Sequence, residues 1–329
     1  MPRSLVCALV LAAAACRPST LPPALSDREF WALSESLSEP PGAFPLSDNL
    51  VSNEPRFAEN ARWIQPRGGV YVGVGPEQNF SYIVRLKPAA AFVVDIRREN
   101  RDLHLLYKTL FELSSDRADF VSRLFSRARP PGAGPSSSVA DLFDRFAGVA
   151  PSADARDATA ALVRTRLLRG HGFPLGRDDM ASIDGALGAF YRDGPAIQFW
   201  GSGSVMTDAP GPSYRRLMTM PDMTGQTRSF LADEASFRFV KSLQARNLIV
   251  PVVGDFAGPS AIRRVGDYVR QHRDVIQAFY GSNVGVYLTT RQTRTFCASL
   301  AALPVSPDAW FIESDAVRPF AAKLKSCGK

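Results

Sequence analysis

The stretch Gly68–Asp95, GGVYVGVGPEQNFSYIVRLKPAAAFVVD, decides the fold. Val70 to Val74 is an apolar, β-branched run too short for a helix, and it reads as a buried parallel strand. Gly73 and Gly75 follow, allowing a tight turn and a close backbone approach to a ligand. Pro76 suits a first helical position, and Glu77 to Leu86 form a short helix that Pro88 ends. Ala89 to Val94 is the next strand, closed by Asp95. That carboxylate lies roughly twenty positions after Gly73, the spacing at which such an acid meets a ribose hydroxyl. Strand, glycine turn, helix, strand and acid together make a nucleotide-binding βαβ unit, with Glu77, Gln78 and Asn79 at the helix N-terminus as further ligand contacts.

The fingerprint departs from two common versions. Gln78 stands where a dinucleotide G-x-G-x-x-G pattern has its third Gly, which disfavours nicotinamide and flavin cofactors. Tyr71 and Glu77 occupy the places where a class I methyltransferase carries an acid and a further Gly. Over a wider span the chain resembles a family of bacterial proteins of unknown function with a methyltransferase-like fold, typified by a Leptospira protein. The matching strings are SDNLVSNE (Ser47–Glu54), GGVYVGVGPEQNFSYI, FVVDIRREN (Phe92–Asn100), LLYKTLFELSSDRADFVSRLFSR (Leu105–Arg127), VVGDF and FYGSNVGVYL. The resemblance implies a fold and a pocket, with S-adenosylmethionine as the cofactor such a layout admits. It implies no settled activity.

Residues 1–16, MPRSLVCALVLAAAAC, have an early Arg, an apolar run and small residues before Cys16. This pattern fits a secretory signal peptide too short to remain as a spanning helix. The Ala-Ala-Ala-Cys ending resembles a bacterial lipobox, although Leu11 sits five places before the Cys instead of three. Lipidation of Cys16 is the leading reading, ahead of ordinary secretion and of a misassigned start. A lipidated chain would be held to the membrane by acyl groups, facing the periplasm; a misassigned start would leave it cytoplasmic. Cys297 and Cys327 are then the cysteines of the mature chain, and their pairing is left open. Their spacing matches no metal motif and the chain has only 3 His, so no metal site is expected. The formal charge is +7, but the basic residues are spread along the chain without a basic-aromatic block, so no nucleic-acid partner is expected.

After a Pro- and Ser-rich tether at 17–28, residues 29–329 read as a single α/β domain. Asp48 and Asn53 are pocket candidates in a stretch that wraps the sheet edge. A long helical region at Leu103–Arg127 follows Asp95, with further helices at Val139–Phe146, Asp154–Leu168 and Asp178–Tyr191. Ile197–Trp200 reads as a short strand or aromatic plug. The next good strand is Leu248–Val253, too far off for a plain crossover, so 100–228 reads as an inserted helical cap over the pocket. His104 within it reads as a packed or surface residue. Strand Leu248–Val253 ends in Gly254-Asp255, and Val275–Tyr280 ends in a Gly281-Ser282-Asn283 turn. Helix Val286–Leu303 and strand Ala309–Glu313 complete the layout. The fold class is thus α/β: a Rossmann-like, class I methyltransferase-like, mostly parallel sheet with a large helical insertion between its second and third strands.

Ligands of such sheets bind outside the carboxyl ends of the strands. Gly73, Gly75, Asp95, Arg97 and Asp255 are therefore the expected cofactor contacts, and Tyr280 and Asn283 the acceptor-side residues. Location complicates the simplest chemistry, because S-adenosylmethionine is made in the cytoplasm and a lipidated protein outside the inner membrane would not meet it. The expected function is a membrane-anchored, methyltransferase-like domain that binds a small nucleoside-like or polar ligand. An active methyltransferase and an envelope scaffold are the alternatives.

Overall fold

The computed structural model describes residues 18–44, 49–199 and 211–328. Asp27–Leu37 forms α1, started by a capping box between Ser26 and Glu29, and Phe57–Trp63 forms α2. Four buried residues, Val70–Gly73, make β1, and Gln78–Leu86 makes α3 one turn later. Lys87 ends α3 in a left-handed conformation, with Pro88 next. Strand β2 is Ala90–Asp95, buried throughout.

Two helices, α4 (Arg98–Leu113) and α5 (Arg117–Phe125), stand where the periodicity predicts one. The break has a local cause: the Ser114 hydroxyl donates to the Leu110 carbonyl, and Asp116 caps α5 by accepting from Asp119 N–H at 2.8 Å. Then come α6 (Val139–Ala147), α7 (Ala153–Thr165), α8 (Arg177–Asp193), α9 (Tyr214–Thr219) and α10 (Glu234–Ala245). In place of the expected strand near Ile197 there is a single bridge between Gln198 and Ser213. The remaining elements are β3 (Ile249–Val253), α11 (Ala261–Gln271), β4 (Ile276–Ser282), α12 (Thr290–Ala301), β5 (Val305–Glu313), β6 (Val317–Pro319) and α13 (Phe320–Cys327).

The six strands form one sheet in the order β3-β2-β1-β4-β5-β6, parallel except for β6, which pairs antiparallel with β5. The fold is therefore α/β and Rossmann-like. Its strand order reverses between β1 and β4, which opens a crevice at their carboxyl ends. One hydrophobic core runs from Phe30 to Phe320. Edge-to-face contacts of the Phe80 ring with Tyr107, Phe111 and Phe230 lock α3, α4 and the segment before α10 together. A disulfide joins Cys297 of α12 to Cys327 of α13. No helix among the described residues is long and apolar enough to cross a membrane.

The expected tether is not free where it is described. Thr20 N–H donates to the His272 carbonyl, Leu25 N–H to the Arg246 carbonyl, and Leu21 and Leu25 pack on the core. The chain then runs up the sheet and crosses the carboxyl ends of two strands, Glu39 N–H bonding the Val253 carbonyl and Gly42 N–H the Ile96 carbonyl. Within the inserted region α8 packs against α4, α5 and α7.

Candidate functional site

The carboxyl ends of β1 to β4 open into a cleft of about 250 Å³. Its floor is Val74-Gly75-Pro76 after β1, Asp95-Ile96-Arg97 after β2, Gly254-Asp255-Phe256 after β3, and Tyr280, Ser282 and Asn283 at the end of β4. Its roof is the N-terminal strap, through Ala43, Phe44, Asn49, Ser52 and Asn53. Phe199 is the inserted region's contribution among the described residues. Phe44 and Tyr287 meet edge to face across the mouth, with ring centroids 5.1 Å apart.

The turn after β1 is braced from behind. The Asn79 amide donates to the carbonyls of Val74, Gly75 and Pro76 at 2.9, 3.0 and 2.7 Å, and its oxygen accepts from the Tyr71 hydroxyl at 3.0 Å. His104 Nε2 bonds the Gly75 carbonyl at 2.9 Å. Burial lowers the His104 pKa to about 4, outweighing the Gly75 hydrogen bond, so the ring is neutral at pH 7 and donates through Nε2. Gly75 has φ +76°, and a Cβ added there would meet nothing within 4 Å, so its bare backbone faces open space.

Asp95 and Arg97 form a buried pair. Asp95 Oδ1 accepts from Arg97 N–H at 2.9 Å and from Nε at 3.2 Å, and Oδ2 accepts from Nη2 at 3.3 Å. The carboxylate expected to hold a ribose is thus neutralised by its neighbour, and a ligand must share it. Asp255 accepts from Ala257 N–H at 2.8 Å in an Asx turn. The start of α11 is capped instead by Glu39 of the strap, whose carboxylate accepts from Ala261 N–H at 2.6 Å and from the Ser260 hydroxyl at 2.9 Å.

The geometry brings together Gly75, Asp95, Arg97, Asp255, Tyr280 and Asn283, along with Asn53. Four expected contacts are not at the surface of the cleft. A Cβ on Gly73 would lie 2.0 Å from Asn79 Oδ1 and 2.6 Å from the Tyr71 hydroxyl, so this glycine makes room for protein, not for ligand. Asn79 is the brace just described. Glu77 is buried and accepts from Ser52 N–H at 3.1 and 3.2 Å, tying the strap to the turn. Gln78 is buried, and its amide has no partner among the described residues. Tyr280 only grazes the cleft: its ring packs on Tyr82 at 4.9 Å and it is 2% exposed. Asp48 and Cys16 lie outside the described residues.

The sequence reading missed Glu54. It sits behind β4, 1% exposed, and accepts from the Ser282 hydroxyl at 2.5 Å. Burial raises its pKa to about 7, against the lowering effect of Ser282 and Tyr280. Burial also raises Glu77 to about 8, with Ser52 N–H opposing and nearby Glu54 adding. Phe44, Ser52 and Tyr287 were missed as well, because irregular segments carry no periodic signal.

Fold and cleft together define a Rossmann-like α/β protein with a ligand crevice at the sheet's switch point. Within that class the chain belongs to the family described as "Domain of unknown function (DUF7790)", whose model matches residues 49–130 and 211–321. No functionally curated protein matches it.

Proposed function

We propose that this chain is an envelope-anchored, methyltransferase-like binding protein whose cleft takes a nucleoside-like or other small polar ligand, with no turnover required. The observation that carries this reading is the convergence of the Gly75 cradle, Asp95 and Asp255 on one crevice, each from the end of a different parallel strand. The open backbone at Gly75 suits close approach by a ligand, and aromatic Phe44 and Tyr287 suit a base or another flat ring. At about 250 Å³ the cleft lies near the small end of ligand sites, which suits a nucleoside better than a dinucleotide. Arg97 is offset by Asp95, and Asp255 adds a further carboxylate, so the charge balance favours neutral or cationic ligands over phosphates.

Two features support export and anchoring at Cys16. The Cys297–Cys327 disulfide suits an oxidising compartment. Ser19, three residues after Cys16, also lies at the amino ends of the strands, where its hydroxyl donates to Asp274 at 2.6 Å. An acyl anchor just before it would turn the cleft away from the membrane, toward water-soluble ligands. Methyl transfer from S-adenosylmethionine is the second reading, favoured by the strand order and the open Gly75 cradle. Asp95 and Asp255 would hold the nucleoside of that cofactor and Gly75 would lie against its amino-acid end; when bound, it supplies an electrophilic methyl group.

Calorimetry with S-adenosylmethionine, S-adenosylhomocysteine and adenosine tests the proposal. Binding is expected with at least one, weakened about ten-fold by Asp255→Asn through loss of one charge-assisted hydrogen bond. No heat with any of the three at millimolar concentration would leave the scaffold reading. Transfer of labelled methyl onto envelope extract would promote the second reading.

A further inference from the structure

Ser282 closes β4 in a left-handed backbone conformation, φ +48°, which costs a non-glycine residue about 1 kcal/mol. This strained residue lines the cleft. Its hydroxyl proton is committed to Glu54 Oε1 at 2.5 Å, with Asn283 Oδ1 a distant 3.4 Å away. The Ser282 oxygen can therefore only accept from anything in the cleft.

Behind it, Glu54 is an acid without a counter-charge. The groups that face it are Tyr280 of β4, Tyr71 of β1, Tyr82 of α3, Glu77 before α3, and Asp315 in the turn between β5 and β6. All are tyrosines or acids, and no Lys or Arg pairs with Glu54 among the described residues. Its second oxygen, Oε2, is buried and meets no partner at hydrogen-bond geometry there, although the nearby Tyr280 hydroxyl favours its ionised form. Arg97, the Lys or Arg that lines the cleft among the described residues, is taken up by Asp95. Buried carboxyls are ordinarily paired or fully hydrogen-bonded. The one hydrogen bond between this carboxyl and a residue that lines the cleft is the one from Ser282.

We propose that Ser282 and Glu54 form a proton-accepting pair that recognises a ligand through a protonated amine at the β4 end of the cleft. The amine donates to Ser282 Oγ, Ser282 donates to Glu54, and the ammonium charge favours the ionised carboxylate behind it. The proton that Glu54 then gives up leaves to solvent, and no covalent bond changes. This rests on the small-ligand reading of the cleft and adds the functional group that the ligand must carry.

The pair is tested first without ligand, in the full-length protein, by chemical denaturation from pH 5 to pH 8.5. Glu54 has a folded pKa above its unfolded one, so its stabilisation is present at low pH and is lost as pH rises through about 7. Relative to Glu54→Gln, the wild-type folding equilibrium should fall on the order of a hundred-fold across that range. In Ser282→Ala the midpoint of the fall should move to higher pH, because the ionised form loses its hydrogen bond. Methylammonium chloride should move the wild-type midpoint to lower pH relative to sodium chloride at equal ionic strength, and should not move that of Ser282→Ala. A midpoint indifferent to Ser282→Ala, or equal in the two salts, overturns the proposal. If Glu54→Gln does not fold, the shift between wild type and Ser282→Ala carries the same test. S-adenosylhomocysteine, which bears an ammonium group, should bind with release of about half a proton per site at pH 7, the fraction held by a carboxyl titrating there. A methylammonium response with no binding of S-adenosylhomocysteine, S-adenosylmethionine or adenosine would uphold the pair and refute the nucleoside reading. Binding with no proton release would uphold the nucleoside reading and overturn the pair.

Discussion

Replacing Asn79 should damage both the fold and the cleft, and the structure sets the size of the effect. The side chain is wholly buried, its two amide N–H groups shared among the consecutive carbonyls of Val74, Gly75 and Pro76 and its oxygen accepting from Tyr71. At about 1 kcal/mol net for each of the two N–H groups and the one acceptor bond, Asn79→Ala loses about 3 kcal/mol if every partner is left bare. Some of that is recovered, since residues 74–76 line the cleft and water can reach them there, while Gly75 keeps its bond from His104. The buried Tyr71 hydroxyl recovers nothing. A loss of about 2–3 kcal/mol in urea denaturation is therefore expected, with ligand heat reduced as the turn relaxes. Asn79→Asp separates hydrogen bonding from volume: it keeps the acceptor for Tyr71 but turns a carboxylate toward three carbonyls. Its deficit should shrink on acidification, when the protonated acid can donate once, whereas that of Asn79→Ala should not. A loss below about 1 kcal/mol in Asn79→Ala, or an Asn79→Asp deficit insensitive to pH, would refute the bracing role.

The two glycines of the turn should respond in opposite ways. Gly75→Ala costs only about 1 kcal/mol of backbone strain but puts a methyl into the cleft, so calorimetry should show affinity falling more than stability. Gly73→Ala drives a Cβ into Asn79 and Tyr71 and should cost several times more in the same melts. Stability should also depend on pH through three buried groups. His104, with a folded pKa of about 4, contributes stability that is present above pH 6.5 and is lost as pH falls toward 4, by about 3 kcal/mol in all. Glu54 and Glu77 act oppositely, losing their contribution as pH rises through about 7 and about 8. His104→Gln should therefore show a steeper decline than wild type between pH 5 and pH 6.5, and an unchanged slope would exclude a neutral buried His104. Replacing Cys297 and Cys327 together by Ser should lower stability by about 3–4 kcal/mol, as expected for a cross-linked loop of this length, and reducing agent should do the same to the wild type.

The parallel strands were legible because each is a short apolar run with a turn signal at its end. Asp95, Asp255 and Asn283 were legible because a parallel sheet sends all its strand ends to one side. What separates Gly73 from Gly75 is not sequence but register: one faces the core side of the turn and the other the cleft, only two residues apart. Asn79 and Glu77 looked like ligand contacts because a helix N-terminus offers the same groups to a ligand or to its own turn. The break at Ser114–Asp116 carried a cap signal that the apolar periodicity on either side obscured. The roof was the hardest part. Glu39 and Gly42 hold the strap by backbone bonds to strands more than fifty residues away, which no local pattern announces. Within the region expected as a cap, α8 packs on α4, α5 and α7, and Phe199 is what reaches the cleft among the described residues.

The family model covers the floor of the cleft and only part of its roof. Gly75, Asp95, Arg97, Asp255, Ser282 and Glu54 all lie in the stretches that the family model covers, whereas Glu39, Phe44 and Phe199 lie outside them. The disulfide has the same division, since Cys297 falls within the matched region and Cys327 beyond it. The polar groups that would fix a ligand's orientation thus belong to the domain common to the family. Of the aromatic surface closing over it, Tyr287 lies within the matched stretches and Phe44 and Phe199 lie outside them, as does Cys327 on α13. Two physical jobs are separated in this way: the sheet ends set which functional groups are recognised, and the strap sets how large a body can sit above them. Changes in ligand size should therefore map to Phe44 and Phe199, and changes in ligand charge to Asp255, Ser282 and Glu54.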